Sequence, residues 1–230
     1  MTGTQERPAP SQSVRAARLL AGASAGAVLG GAVIMLAGLV AAPGPWWQGY
    51  VSEAGVAGLP LAGLYRAGLI VLAVGVAGLG LRLRAVLLLV AAGLAAVSGA
   101  VPCTGGCPLP PFEASTGADV VHAGAAILGM VVLAGAMAEH WMITRDRAAR
   151  WVSGIAVAIT VPVGGALGLI MLFAGRVMLG AALERLLLVV AVAWLVGLGL
   201  TLLRSSVIVE LWRKEVSRNG WLTWNRRSPR

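Results

Sequence analysis

Few side chains in this sequence can do chemistry, and they gather in three short stretches. Trp46, Trp47, Tyr50, Ser52 and Glu53 stand in the first, with Arg66 soon after. The second reads Pro102-Cys103-Thr104-Gly105-Gly106-Cys107-Pro108, followed by Glu113, Asp119 and His122. The third ends in Glu184-Arg185. Asp119 and His122 are three apart, so on a helix they share a face. An aspartate near a helix start is favoured by the dipole or serves as a cap. Three chemistries are open to this set. Arg66, Arg185, Glu53, Glu113, Asp119 and Glu184 could pair among themselves and pin loops. Ser52, Glu53, Arg66, Asp119, His122, Glu184 and Arg185 could instead line a polar pocket for a headgroup or small molecule. Finally, Ser52 or a metal-bound water could attack a substrate, with Asp119 and His122 orienting or ligating. His122 with Asp119 is a weak metal pair, because catalytic zinc usually takes three protein ligands. No metal and no cofactor is therefore expected.

Cys103 and Cys107 are the chain's two cysteines. The intervening Thr104-Gly105-Gly106 is flexible enough to let the sulfurs meet, and an oxidising compartment would join them. Closing so small a ring removes little chain entropy, so a disulfide here shapes the loop more than it stabilises the fold. A reactive redox pair or a Cys-Cys-His metal site are the alternatives.

The elements that position these residues follow from composition. Of 230 residues, 58% are hydrophobic and 12% charged, with 32 glycines besides. Such a chain is not a soluble enzyme, a disulfide-rich secreted module, a disordered tail or a free nucleic-acid-binding domain. Apolar blocks fall at about 19–42, 61–81, 85–101, 120–138, 152–173 and 186–203. Each approaches the ~20 residues that cross a hydrocarbon core. The runs are continuous, without the alternation of a membrane barrel, and lipid tolerates only closed backbone hydrogen bonding. The expected fold is an all-α, polytopic bundle of six transmembrane helices. A basic segment, 1–18, precedes it, and a basic amphipathic tail, 204–230, follows and could lie on the membrane surface.

Arginine distribution sets the expected orientation. The N-terminal segment, the Arg82–Arg84 turn, the Trp141–Arg150 loop and the tail hold all the Lys and Arg except Arg66, Arg176 and Arg185. By the positive-inside rule both termini are cytoplasmic, and the loops Pro43–Pro60, Pro102–Asp119 and Ala174–Arg185 face outward. The net charge of +9 then attracts anionic lipid at the inner surface. It is divided among segments and forms no nucleic-acid patch. All the tryptophans except Trp194 fall outside the blocks, where headgroups suit them. Gly22, Gly26 and Gly30 share a face of the first helix, as do Gly164 and Gly168 of the fifth, where Pro162 would bend the backbone. Such faces pack helices closely, within the bundle or between copies in a homo-oligomer. No ionisable residue stands near the middle of a block, which argues against ion-coupled transport. His122 and His140 are about 27 Å apart along one helix, too far to share a haem iron.

The outer-loop residues resemble a known family. Ser52-Glu53, Cys107-Pro108-Leu109-Pro110 followed by Asp119-x-x-His122, and Glu184-Arg185 with Trp194 in the last helix are similar to the domain of unknown function 998, a family of multi-pass bacterial membrane proteins. The resemblance covers about residues 19–204 and implies a six-helix integral membrane fold. It implies no activity. The expected reading is a protein of the bacterial plasma (inner) membrane whose outer polar site binds a lipid headgroup, a small envelope molecule or a protein partner. The alternatives are a membrane-embedded lipid hydrolase, metal-dependent or not, using outward Ser, Asp and His, and a facilitator without ion coupling.

Overall fold

The computed structural model describes residues 12–108 and 112–225. Expectations for residues 1–11, for Leu109-Pro110-Pro111 and for residues 226–230 lie outside that range. So does the amphipathic pattern of the tail, because side chains are described only to Arg204 in the last helix. The described chain is helical throughout: α1 (Gln12–Ala41), a 3₁₀ turn (Val51–Gly55), α2 (Ala62–Leu83), α3 (Val86–Ala100), α4 (Gly117–Ile143), α5 (Arg147–Phe173) and α6 (Met178–Asn225). Five of these helices are long and apolar enough to cross a membrane. The exception, α3, has 15 residues, about 22 Å at helical rise, short of a ~30 Å hydrocarbon core.

Local chemistry explains where the helices stop. Arg84, at φ 55°, ends α2 in a left-handed cap, and its N–H reaches back to the Gly80 and Leu81 carbonyls. Thr116 caps α4, and Asp146 caps α5 by accepting from the Ala149 N–H. α5 runs through Pro162 as one helix. α6 continues without a break from the apolar stretch into the basic tail, to Asn225.

Each helix packs on its chain neighbours, and α6 returns to α1, which closes a ring of six. The core at its centre joins Val28, Leu79, Leu88, Met137, Trp194 and Leu195, all at most 3% exposed. Outward the pattern is inverted relative to a water-soluble protein. Leu29, Val33 and Leu36 on α1, Val131 on α4, Ile155 and Leu169 on α5 and Val189 on α6 are all exposed. An apolar belt of this extent needs lipid as its solvent.

The closest helix contact departs from the glycine face read in the sequence. A Cβ at Gly26 or Gly30 would meet nothing within 4 Å, whereas one at Gly31 would stand 2.5 Å from the Gly68 carbonyl oxygen and the Leu72 nitrogen. Gly68 and Gly75 answer from α2, each with backbone of α1 less than 3 Å from where a Cβ would be. On α1 the seam thus runs through Ser24, Val28, Gly31 and Met35, beside the expected stripe, on which a Cβ at Gly22 would instead stand 3.7 Å from Leu203 of α6. A Cβ at Gly164 or Gly168 likewise would meet nothing within 4 Å among the described residues. The antiparallel ring brings the start of α1, the Arg82–Arg84 turn and the α4–α5 turn to one end. The loops between α1 and α2, α3 and α4, and α5 and α6 stand at the other and form a cap.

Candidate functional site

The cap is built from charged side chains that hold loop backbone. Arg185, about two turns into α6, donates from Nη1 to the Gly49 carbonyl at 2.9 Å and from Nη2 to the Trp46 carbonyl at 2.6 Å. Its neighbour Glu184 accepts the Val51 N–H at 2.5 Å, where the 3₁₀ turn begins. This adjacent acid and base clasp the first loop at consecutive peptides. Arg66 on α2 donates to the Gly99 and Ala100 carbonyls at 2.9 and 2.7 Å. Those carbonyls end α3 without helical partners, and a cation there also meets the negative end of the dipole.

Asp119 performs the same task for the second loop. It is 1% exposed and stands at the third position of α4, where Thr116 is the cap. Its Oδ2 accepts the Thr116 N–H at 2.7 Å, and its Oδ1 accepts the Thr104 N–H at 2.6 Å. Both threonine hydroxyls add further bonds to the same carboxylate. The carboxylate is fully engaged in joining the loop to the helix, so Asp119 is not free to ligate a metal.

One turn on, His122 is 5% exposed. Its Nδ1 lies 2.8 Å from the carbonyl oxygens of both Ser98 and Val101. His122 and Asp119 share no hydrogen bond among the described residues. Cys103 and Cys107 are joined by a disulfide. The turn between them has the Cys107 N–H bonded to the Thr104 carbonyl at 2.9 Å, with Gly106 at φ 83°. That angle is what the third position of a type II turn requires, and glycine reaches it without strain.

The candidate residues therefore do not converge on one pocket. Glu184 and Arg185 serve the first loop, Arg66 the end of α3, and Asp119 and His122 the second loop. Ser52 touches the last of these groups through its carbonyl oxygen, which lies 3.6 Å from Cys107 Sγ. An aspartate–histidine–serine relay is not formed. Arg176, outside the set chosen from the sequence, links the loops instead: it pairs with Glu113 at 3.0 Å and Glu53 at 3.4 Å and donates to the Gly106 carbonyl. Thr104, Thr116 and Ser98 were also missed. Thr116 followed by Asp119 is a capping-box spacing that could have been read; the other two carry no sequence signal.

Two recesses accompany these contacts. One of about 100 Å³ opens at the cap and is lined by Pro43, Trp46, Gln48, Tyr50, Glu53 and Leu59 among others. Glu53 Oε1 accepts the Tyr50 N–H at 3.0 Å; Oε2 carries no hydrogen bond among the described residues. Tyr50 is 4% exposed and packs on Leu167 and Leu187, and burial, with Glu184 nearby, pushes its phenol above the ordinary range. The other recess, about 840 Å³, is a groove at the arginine-rich end between Trp141, Arg147, Arg150, Trp151 and Ile155. No family model matches this chain, and neither does any curated protein or solved structure.

Proposed function

We propose that this protein is a six-span component of a bacterial plasma membrane, with both ends in the cytoplasm, whose outer cap binds an ammonium-bearing group. The observation that carries the reading is the Glu53 recess. Glu53 lines it beside Trp46, with Gln48 at the rim; Tyr50 N–H and Arg176 engage Oε1 alone, and Oε2 has no hydrogen bond among the described residues. Negative charge beside an aromatic residue is the chemistry that recognises a small cation. A volume near 100 Å³ is that of about three liquid waters at ~30 Å³ each. It suits a headgroup or a free small amine and not a whole lipid. The exposed apolar belt supports residence in a bilayer, and the short α3 spans it by local thinning or by sitting beneath the cap. The segregation of arginine to the opposite end supports the orientation.

The test uses the full chain in detergent, melted with phosphatidylethanolamine, phosphatidylglycerol or free ethanolamine. Phosphatidylethanolamine raises the melting temperature of the wild type and leaves Glu53→Gln unmoved, while phosphatidylglycerol moves neither. A response to free ethanolamine at similar concentration makes the ligand a soluble amine. Equal shifts with all three, or a Glu53→Gln protein that responds like wild type, defeats the reading. A protease tag on either end, cut in inverted vesicles and protected in intact cells, tests the orientation.

A further inference from the structure

Where the second loop meets α4, three donors of metal-ligating type come together. Cys103 Sγ, Cys107 Sγ and a ring nitrogen of His122 lie within 4.8 Å of one another. Cys103 and His122 are 2% and 5% exposed. The tautomer of His122 follows from its neighbours. Both groups at 2.8 Å from Nδ1 are carbonyl oxygens, which only accept, so Nδ1 carries the proton and Nε2 bears the lone pair. Nε2 is buried and has no hydrogen-bond partner among the described residues.

A stranded buried acceptor costs about 1–3 kcal/mol, and no described residue donates to this one. The same arrangement, with one N–H fixed by a backbone carbonyl and the opposite nitrogen left free, is how a metal-ligating histidine is oriented. The loop is held to match. Asp119 fixes Thr104 beside Cys103, and the Cys103 carbonyl accepts the Ala57 N–H at 3.4 Å. Gly105 and Gly106 leave the span between the sulfurs able to adjust.

We propose that reduction of the Cys103–Cys107 disulfide turns this corner into a zinc site made of two thiolates and His122 Nε2. A dithiol reductant supplies the electrons: the S–S bond takes two electrons and two protons to give two thiols, and the dithiol becomes a disulfide. Zn²⁺ then displaces both thiol protons, forming two Zn–S bonds and one Zn–N bond. The fourth tetrahedral position is left for water. Two thiolates cancel the charge of the ion, so the assembled unit is neutral and can remain among buried groups. Thiolate with imidazole is a donor set that suits zinc. The oxidised loop, with no thiolate, holds no metal. Neither the Glu53 recess nor the orientation of the chain enters this inference.

The experiment uses the full chain in detergent, reduced with a phosphine, freed of reductant without air and titrated with Co²⁺ and then Zn²⁺. One Co²⁺ per chain binds with a near-ultraviolet sulfur-to-metal absorption, which one equivalent of Zn²⁺ removes; unreduced protein gives neither. His122→Asn keeps an N–H for the two carbonyls but loses Nε2, and its zinc affinity falls at least as far as the roughly 10–100-fold that loss of an outer-shell partner causes. Cys103→Ser abolishes the absorption. In the wild type itself, Zn²⁺ slows alkylation of both reduced thiols at least about tenfold. Reduced wild type without the absorption, thiols that zinc does not protect, or undiminished affinity in a folded His122→Asn overturns the proposal.

Discussion

Replacing Asp119 tests whether the cap is held by carboxylate-to-backbone bonds. Each oxygen of Asp119 accepts a different backbone N–H, that of Thr104 on Oδ1 and that of Thr116 on Oδ2. Asparagine has the same shape, yet whichever way its amide turns, an NH₂ group faces one of these donors. Alanine leaves both without an acceptor. A hydrogen bond to a charged group contributes about 1.5–3 kcal/mol net. Thr104 and Thr116 are themselves exposed, so water replaces part of what is lost and the low end applies. Asp119→Asn then costs about 1.5 kcal/mol and Asp119→Ala about 3 kcal/mol. For a chain of this size 1 kcal/mol moves the melting temperature by roughly 2–4 °C, which makes the expected losses about 3–6 °C and 6–12 °C. Melting in detergent followed by size-exclusion fluorescence reads both. Thr104→Val, which removes only a hydroxyl, should fall by less than Asp119→Asn. If Asp119→Asn melts within a degree of wild type, the carboxylate is not what joins loop to helix.

Three further outcomes follow from the packing. Gly31→Ala forces a Cβ against backbone of α2 and should cost about 1–3 kcal/mol; Gly26→Ala and Gly30→Ala meet open space and should be neutral or stabilising by up to about 1 kcal/mol, all read by the same melt. Arg185→Gln removes the two-armed grip on the Trp46 and Gly49 carbonyls, and limited proteolysis should cut the loop between α1 and α2 faster than in wild type while the helices stay intact. Trp194→Phe leaves the buried Ser153 hydroxyl without its 3.0 Å indole donor and should lower stability by about 1 kcal/mol. The same substitution made at the exposed Trp151 should have no measurable effect.

The sequence by itself determined the class of fold and which residues would gather at one end. Continuous apolar blocks can only be helices in lipid, and arginine-bearing turns alternate with arginine-poor ones along the chain, so opposite ends of the bundle separate without any knowledge of packing. Its reach stopped where contact depends on direction. Gly22, Gly26 and Gly30 recur on one face, but only the rotation of α1 against α2 decides that Gly31 is the residue at the seam. Asp119 and His122 share a face by spacing, and their partners, Thr104 and the Ser98 and Val101 carbonyls, come from chain segments whose placement no periodicity encodes. Arg176 reads as one stray cation in a short loop. Its pairing with Glu53 and Glu113 exists because the closed ring of helices carries three separate loops to the same end. Charge type and spacing are local properties of a chain, whereas which charge answers which is set by how the helices turn toward one another.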